Sequence, residues 1–230
     1  MKTIGLIGGL SWESSAEYYR ILNEDVRDAL GPTASAKCLL WSFNFAEVEE
    51  LQRRGDWAAL TTRMVDAGKR LEAGGADLLL ICSNTMHRMA DAVKGAVAIP
   101  VLHIADPTAE RIKLAGHRKV GLLGTAFTME QAFYKERLAE HHGLDVIVPG
   151  TEDRATVHRI IYEELVTGRI LPASRDAYRA VIARMVQEGA EAVILGCTEI
   201  MLLVGADDSA VRLYDTTSLH AQAAIALAIA

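Results

Sequence analysis

Two stretches of the chain say nearly the same thing. Residues 75–85 read GADLLLICSNT and residues 189–199 read GAEAVILGCTE. Each is a Gly-Ala-acid lead-in, an apolar run of strand character, and then a small proton-carrying residue with polar neighbours. The 114-residue offset sets Ser83 against Cys197. A second echo, Ile4 to Gly9 against Val120 to Thr125, runs at an offset of 116. A duplicated half-molecule of this kind would place one reactive side chain on each side of a shared cleft. That arrangement suits chemistry on a prochiral carbon approached from both faces.

Cys197 closes its apolar run beside Thr198 and Glu199. A thiol at a strand end, near backbone amides or a helix start, can have its pKa lowered toward the thiolate. A buried structural cysteine is the ordinary alternative; the polar flank and the internal echo favour chemistry. Ser83 taken alone reads as a cap or turn residue, and its claim rests on the match to Cys197. Cys82 cannot share its direction while the strand stays extended, because successive side chains point to opposite sides. Cys82 is therefore expected to pack behind Ser83, and Cys38 to lie in the core.

Gly8, Gly9, Leu10 and Ser11 follow the first strand and precede a helix. Such a loop offers backbone N–H groups and a helix dipole to an anion. It lacks the dinucleotide spacing and the Walker lysine, so it reads as a carboxylate cradle, with a plain tight turn as the alternative. Thr125 and Thr128 form its counterpart in the second half. Residues 52–57 (QRRGDW) could lend Gln52 or Arg53 to a substrate, or simply form an exposed helix end. The seven histidines and three cysteines show no metal-ligand spacing, so no metal is expected. His87 is expected to buttress a helix start and His103 to be a satisfied buried residue.

The elements that must position these groups alternate. Strand-like runs fall at 3–8, 36–42, 77–82, 99–103, 119–123, 144–148, 191–196 and 211–214, with helical patterns at 14–30, 46–54, 57–74, 107–116, 128–142, 153–168, 173–188 and 217–229. This predicts right-handed βαβ units in an α/β fold of two similar domains, each a mainly parallel four-stranded sheet flanked by helices. The first domain is expected over 1–105 plus 209–230, with a returning C-terminal helix, and the second over 106–208. Ligands of open parallel sheets sit at the carboxyl ends of the strands, where the polar residues of both halves fall.

The 230 residues are 50% hydrophobic and 23% charged, with a formal net charge of −6. This composition supports packed cores and argues against nucleic acid or a membrane surface as partner. No apolar run reaches the roughly 18 residues of a membrane span. The N-terminus lacks the pattern of a signal peptide, and three widely spaced cysteines make no disulfide framework. A reducing cytoplasm is the expected setting.

At these residues the chain resembles the aspartate/glutamate racemase family, which works without pyridoxal phosphate. The likeness runs essentially end to end. It is carried by residues 4–14 (IGLIGGLSWES), 83–87 (SNTMH), 124–130 (GTAFTME), 196–199 (GCTE) and 215–220 (DTTSLH). The resemblance implies two α/β domains with the site between them, often in a homodimer, a small amino-acid substrate and no cofactor. It further implies two-base proton transfer at Cα, with Cys197 on one face and Ser83 on the other. The carbanion formed from a weakly acidic Cα–H needs hydrogen bonds to its carboxylate. Asn84, Thr85, Thr198 and the amides of Gly9, Leu10 and Ser11 are implied in that role, with Thr125, Thr128, Gln52 and Glu199 completing the binding set.

Two positions depart from the family pattern. Cysteine is usual at both catalytic positions, whereas this chain resembles a branch with a hydroxyl residue, Ser83, at the first. Some members also place a lysine in the stretch that here runs Tyr162 to Gly168, and Val166 stands at that position. The substrate expectation, aspartate or glutamate, therefore rests on the other motifs. Two other readings stay open: a maleate isomerase-like or arylmalonate decarboxylase-like enzyme, and a non-catalytic amino-acid-binding protein.

Overall fold

A computed structural model describes all residues 1–230. Its eight strands are β1 (Ile4–Gly8), β2 (Cys38–Ser42), β3 (Leu78–Ile81), β4 (Val101–Leu102), β5 (Lys119–Gly124), β6 (Asp145–Ile147), β7 (Ala192–Gly196) and β8 (Arg212–Asp215). They form two four-stranded sheets, ordered β2-β1-β3-β4 and β6-β5-β7-β8. Every pairing is parallel. The second sheet repeats the order of the first, as the internal echoes require. The central strands β1, β3 and β7 are buried at every position, which is why they read as unbroken apolar runs.

The chain divides into two units, residues 1–104 with 220–230, and residues 105–219. The chain crosses between Ile104 and Ala105 and returns between Leu219 and His220, where 105 and 209 are expected from the sequence. β8 pairs with β7 from Ala192↔Arg212 to Leu195↔Asp215, and those ladder bonds hold it in the second unit. Only the later part of the last helix, Thr216–Ile229, belongs to the first unit. There Lys2 donates its backbone N–H to the carbonyl of Ala228 at 2.8 Å.

In the first unit the helices Phe45–Arg54 and Trp57–Ala73 lay Val48, Leu60, Met64 and Leu71 on a core shared with Ile7 and Leu79. In the second, the helices Thr151–Glu163 and Pro172–Gln187 place Val157, Ile161, Tyr178 and Ile182 against Leu123 and Val193. Capping follows the sequence: Ser11, Asn44 and Asp56 each accept a backbone N–H at the start of their helices, satisfying amides with no intrahelical partner.

The helical pattern at 128–142 is broken. Gln131 is extended (φ −78°, ψ 152°), separating the short helices Ala126–Glu130 and Ala132–Glu136, and a π turn follows at Arg137–His141. Cys38 is not a core residue. It is half-buried on β2, an edge strand with Leu40 half exposed.

Candidate active site

Each unit gathers its candidate residues at the carboxyl ends of its two central strands. In the first unit β1 runs beside β3, so the loop Gly9-Leu10-Ser11 lies next to the turn Ser83-Asn84-Thr85. In the second, β5 runs beside β7 with Gly124 opposite Gly196, so Thr125 and Thr128 lie next to Cys197, Thr198 and Glu199. A Cβ on Gly196 would come within 2.8 Å of the Leu123 carbonyl oxygen; glycine lets the two strand ends approach. All these side chains are buried.

Cys197 makes the chemically informative contact. Its Sγ donates to Oε2 of Glu199 at 2.9 Å, and the Thr198 hydroxyl donates to the same oxygen at 2.9 Å. The Glu199 carboxylate is almost wholly enclosed. The sequence placed Glu199 and Thr198 among the substrate ligands. Here the carboxylate accepts hydrogen bonds from the thiol and from the threonine hydroxyl.

The expected lowering of the thiol pKa is not seen. Burial pushes Cys197 well above the ordinary thiol range, and the Glu199 charge and its hydrogen bond push the same way. The backbone N–H groups of Glu199 and Thr198 oppose this by favouring the thiolate. The resting group is a protonated thiol hydrogen-bonded to a buried carboxylate.

Ser83 sits where β3 turns into a 3₁₀ helix, Thr85–Met89. Its N–H donates to Ile81 O at 2.8 Å, and its Oγ accepts from the Met86 N–H at a long 3.4 Å. That contact is the capping role expected of a lone serine, and it leaves the hydroxyl proton uncommitted to the cap. Cys82 packs behind it with no exposed surface, and burial holds its thiol far above the usual range. Its carbonyl accepts from Ser14 Oγ at 3.1 Å.

Gly9 adopts φ +69°, and a Cβ there would collide with the backbone N and O of Phe43, so only glycine fits the turn. Its amide does not point to a ligand. It donates to Ser15 Oγ at 2.7 Å, and Ser15 Oγ donates to the Ser11 carbonyl at 3.1 Å. Gly9 thus builds the cradle instead of lining it, and the Ser11 hydroxyl caps the helix by accepting from Ser14 N–H.

Thr125 and Thr128 are brought together, with hydroxyl oxygens 3.3 Å apart and the Thr128 N–H donating to Thr125 Oγ1. Gln52 is buried, its Nε2 3.4 Å from Met86 Sδ. Arg53 lies on the exposed face and pairs with Glu50, so it does not share the buried position of Gln52. Val166, at the lysine position of some relatives, packs on the second unit's apolar core.

Two features carried too little sequence signal to be read. His158, on the helix Thr151–Glu163, accepts the Ala126 N–H at Nδ1 (3.1 Å) and holds the turn that carries Thr125 and Thr128. Its ring packs on Tyr162, with centroids 4.7 Å apart. Burial lowers its pKa below the ordinary 6.5, and the Glu130 charge raises it less. His220, named in the DTTSLH motif without a role, takes Tyr18 Oη at Nδ1 (2.8 Å). No group of three or more His, Cys, Asp or Glu side chains is disposed to hold a metal, and no helix is long and apolar enough to cross a membrane.

The class defined by this fold and site is met by the model of the Asp/Glu/hydantoin racemase family, which matches residues 7–224. The chain belongs to that family and is an enzyme of the isomerase class. Among solved structures it is similar to a candidate Asp/Glu racemase from Yersinia pestis, with 50% identity, full coverage of both chains and a TM-score of 0.92. An aspartate racemase homologue from Pyrococcus horikoshii is 36% identical, again over the whole of both chains, with a TM-score of 0.86. A broad-specificity amino-acid racemase from Bacillus subtilis is 21% identical over 174 residues, 73% of this chain and 71% of that protein.

Proposed function

We propose that this racemase interconverts the L and D forms of an acidic amino acid, aspartate or glutamate, without a cofactor. Cys197 and Ser83 serve opposite faces of Cα. The reading is carried by one observation, the buried Cys197 thiol donating to the Glu199 carboxylate.

In this reading Glu199 takes the thiol proton as substrate enters, and the thiolate so formed removes Cα–H from its face. The amides of Thr198 and Glu199 stabilise the thiolate while it exists. The Ser83 hydroxyl gives its proton to the opposite face and is reprotonated from solvent, while Glu199 releases the thiol's proton to solvent and the site is reset. A serine hydroxyl is a far weaker acid than a thiol, so removal of Cα–H by Cys197 is favoured over removal by Ser83. The ratio of kcat/KM values must still obey the near-unity equilibrium constant of racemisation. The inequality therefore appears in kcat and in the isotope exchange of each enantiomer. Near-equal kcat/KM agrees with a role for Ser83, whereas equal kcat values with full activity in Ser83→Ala would reject it.

Asn84, Thr85 and the turns at Leu10-Ser11 and Thr125–Thr128 are the proposed carboxylate-binding set. The name of the Bacillus subtilis relative makes breadth of substrate part of the question. Three free cysteines support a reducing, cytoplasmic setting. The exposed Trp12, Tyr19 and Leu40 of the first unit support a homodimer.

Proton NMR in D₂O with both enantiomers of aspartate, glutamate and a panel of neutral amino acids tests the function. The expected result is Cα exchange with the acidic pair, falling by about 10²-fold or more in Cys197→Ala, within the range for loss of an acid–base group. Exchange confined to neutral amino acids would overturn the substrate assignment. No exchange with any of them would overturn the racemase reading.

A further inference from the structure

Four buried groups of the first unit form a continuous frame that ends on Ser83. Tyr18 Oη is 2.8 Å from Nδ1 of His220, and His220 Nε2 is 3.0 Å from the Leu102 carbonyl. Two residues further on, the Ile104 N–H donates to Nε2 of His87 at 3.1 Å. His87 Nδ1 lies 2.7 Å from the Ser83 carbonyl oxygen. The imidazoles of His87 and His220 meet edge to face at 5.7 Å, and His103 packs on His87 at 4.5 Å.

The backbone partners set the donor and acceptor roles they can. A carbonyl can only accept, so Nδ1 of His87 and Nε2 of His220 carry hydrogen. A backbone N–H can only donate, so Nε2 of His87 is bare. The remaining nitrogen of His220 faces the Tyr18 hydroxyl, which can donate or accept. Both nitrogens of the His87 ring are engaged by backbone groups. His87 stands four residues from Ser83 and meets it through the Ser83 backbone carbonyl.

The frame also grips both chain crossings, since Ile104 ends the first pass through the unit and His220 begins the second. We propose that His87 is a positioning residue: its Nδ1–H holds the Ser83 carbonyl and so sets where the Ser83 hydroxyl stands. This rests on the assignment of Ser83 to one face of Cα. The role belongs to that face alone, because Cys197 lies in the other unit and is held by Glu199.

The split between faces gives the test. Starting from the enantiomer that Cys197 deprotonates, deuterium enters Cα with retention through Cys197 alone, whereas inversion also needs Ser83. NMR and chiral chromatography are run together on His87→Ala, His87→Asn and His87→Gln. Asparagine can keep a donor at the Nδ1 position but not the reach to Ile104. Glutamine can keep the acceptor for Ile104 but loses the donor to Ser83.

The expected result is that His87→Ala and His87→Gln keep most of the exchange and lose inversion by about tenfold or more, the scale of a misplaced reacting group. His87→Asn should hold the ratio of inversion to exchange near that of the parent. Exchange and inversion falling in proportion in both His87→Asn and His87→Gln would overturn the inference, since a general loss of structure acts that way. A parent enzyme without any exchange would instead remove the racemase reading itself, and the role of His87 with it.

Discussion

Tyr18 and Tyr134 offer the same substitution with opposite expected signs. Both rings are fully buried. Tyr18 Oη is hydrogen-bonded to His220 Nδ1 at 2.8 Å, whereas the Tyr134 hydroxyl makes no hydrogen bond to protein. In Tyr18→Phe the nitrogen of a wholly buried imidazole loses its partner, and an unsatisfied buried polar group costs about 1–3 kcal/mol. Tyr134→Phe removes a hydroxyl whose desolvation is uncompensated, so stability should hold or rise by up to about 1 kcal/mol. In a chain of this size 1 kcal/mol moves the midpoint by about 2–4 °C. Tyr18→Phe should therefore melt some 4–8 °C lower for a loss of about 2 kcal/mol, and Tyr134→Phe no lower than the parent. Differential scanning calorimetry reads both. The tyrosines lie in different units, so each shift is taken from its own unit's transition, or from the common one if the units unfold together. A Tyr134→Phe loss equal to or larger than that of Tyr18→Phe would refute the hydrogen-bond assignment.

Glu199→Gln removes the charge that holds the Cys197 proton on and, in the proposed mechanism, the base that takes it off. The thiol should titrate at lower pH, seen as thiolate absorbance near 240 nm, while kcat falls by about 10²-fold or more; a titration that stays put would break the link between the two groups. His158 is neutral in the fold and has a depressed pKa, so below about 6.5 the unfolded chain binds the extra proton and the fold does not. Its contribution is full above that pH and is lost as pH falls toward the folded value. Urea unfolding at pH 5.5 and 7.5 should show this loss in the parent and a smaller one in His158→Asn, which keeps an acceptor for the Ala126 N–H; identical losses would remove His158 from the account.

The strands were the most legible part of the chain. Runs covered on both faces have few polar interruptions, and the duplicated register aligns β1 with β5 and β3 with β7. Boundaries set by pairing partners were less visible. β8 reads like any short apolar run, and only its ladder with β7 keeps it in the second unit. The short helices Ala90–Lys94 and Ile200–Leu203 span too few residues for periodicity to show. At the site, duplication singles out Ser83 and Cys197 as candidates. The duties of Glu199, Thr198 and Gly9 could not be read, because each depends on where a side chain turns: Glu199 back to its own thiol, Ser15 up to the Gly9 amide. The contact between His158 and Ala126 joins residues 32 positions apart, with no local pattern to announce it. The direction of the thiol pKa was misjudged for a related reason, since strand-end amides are visible in the sequence and enclosure is not.

The central claim is that Cys197 and Ser83 act one on each face of the same carbon. It is tested most directly in Ser83→Ala, by following retention exchange and inversion at Cα for each enantiomer separately in D₂O. The account predicts that one enantiomer still exchanges its Cα proton through Cys197 while inversion is lost and the other enantiomer is inert. Inversion at the parent rate in both directions would contradict it.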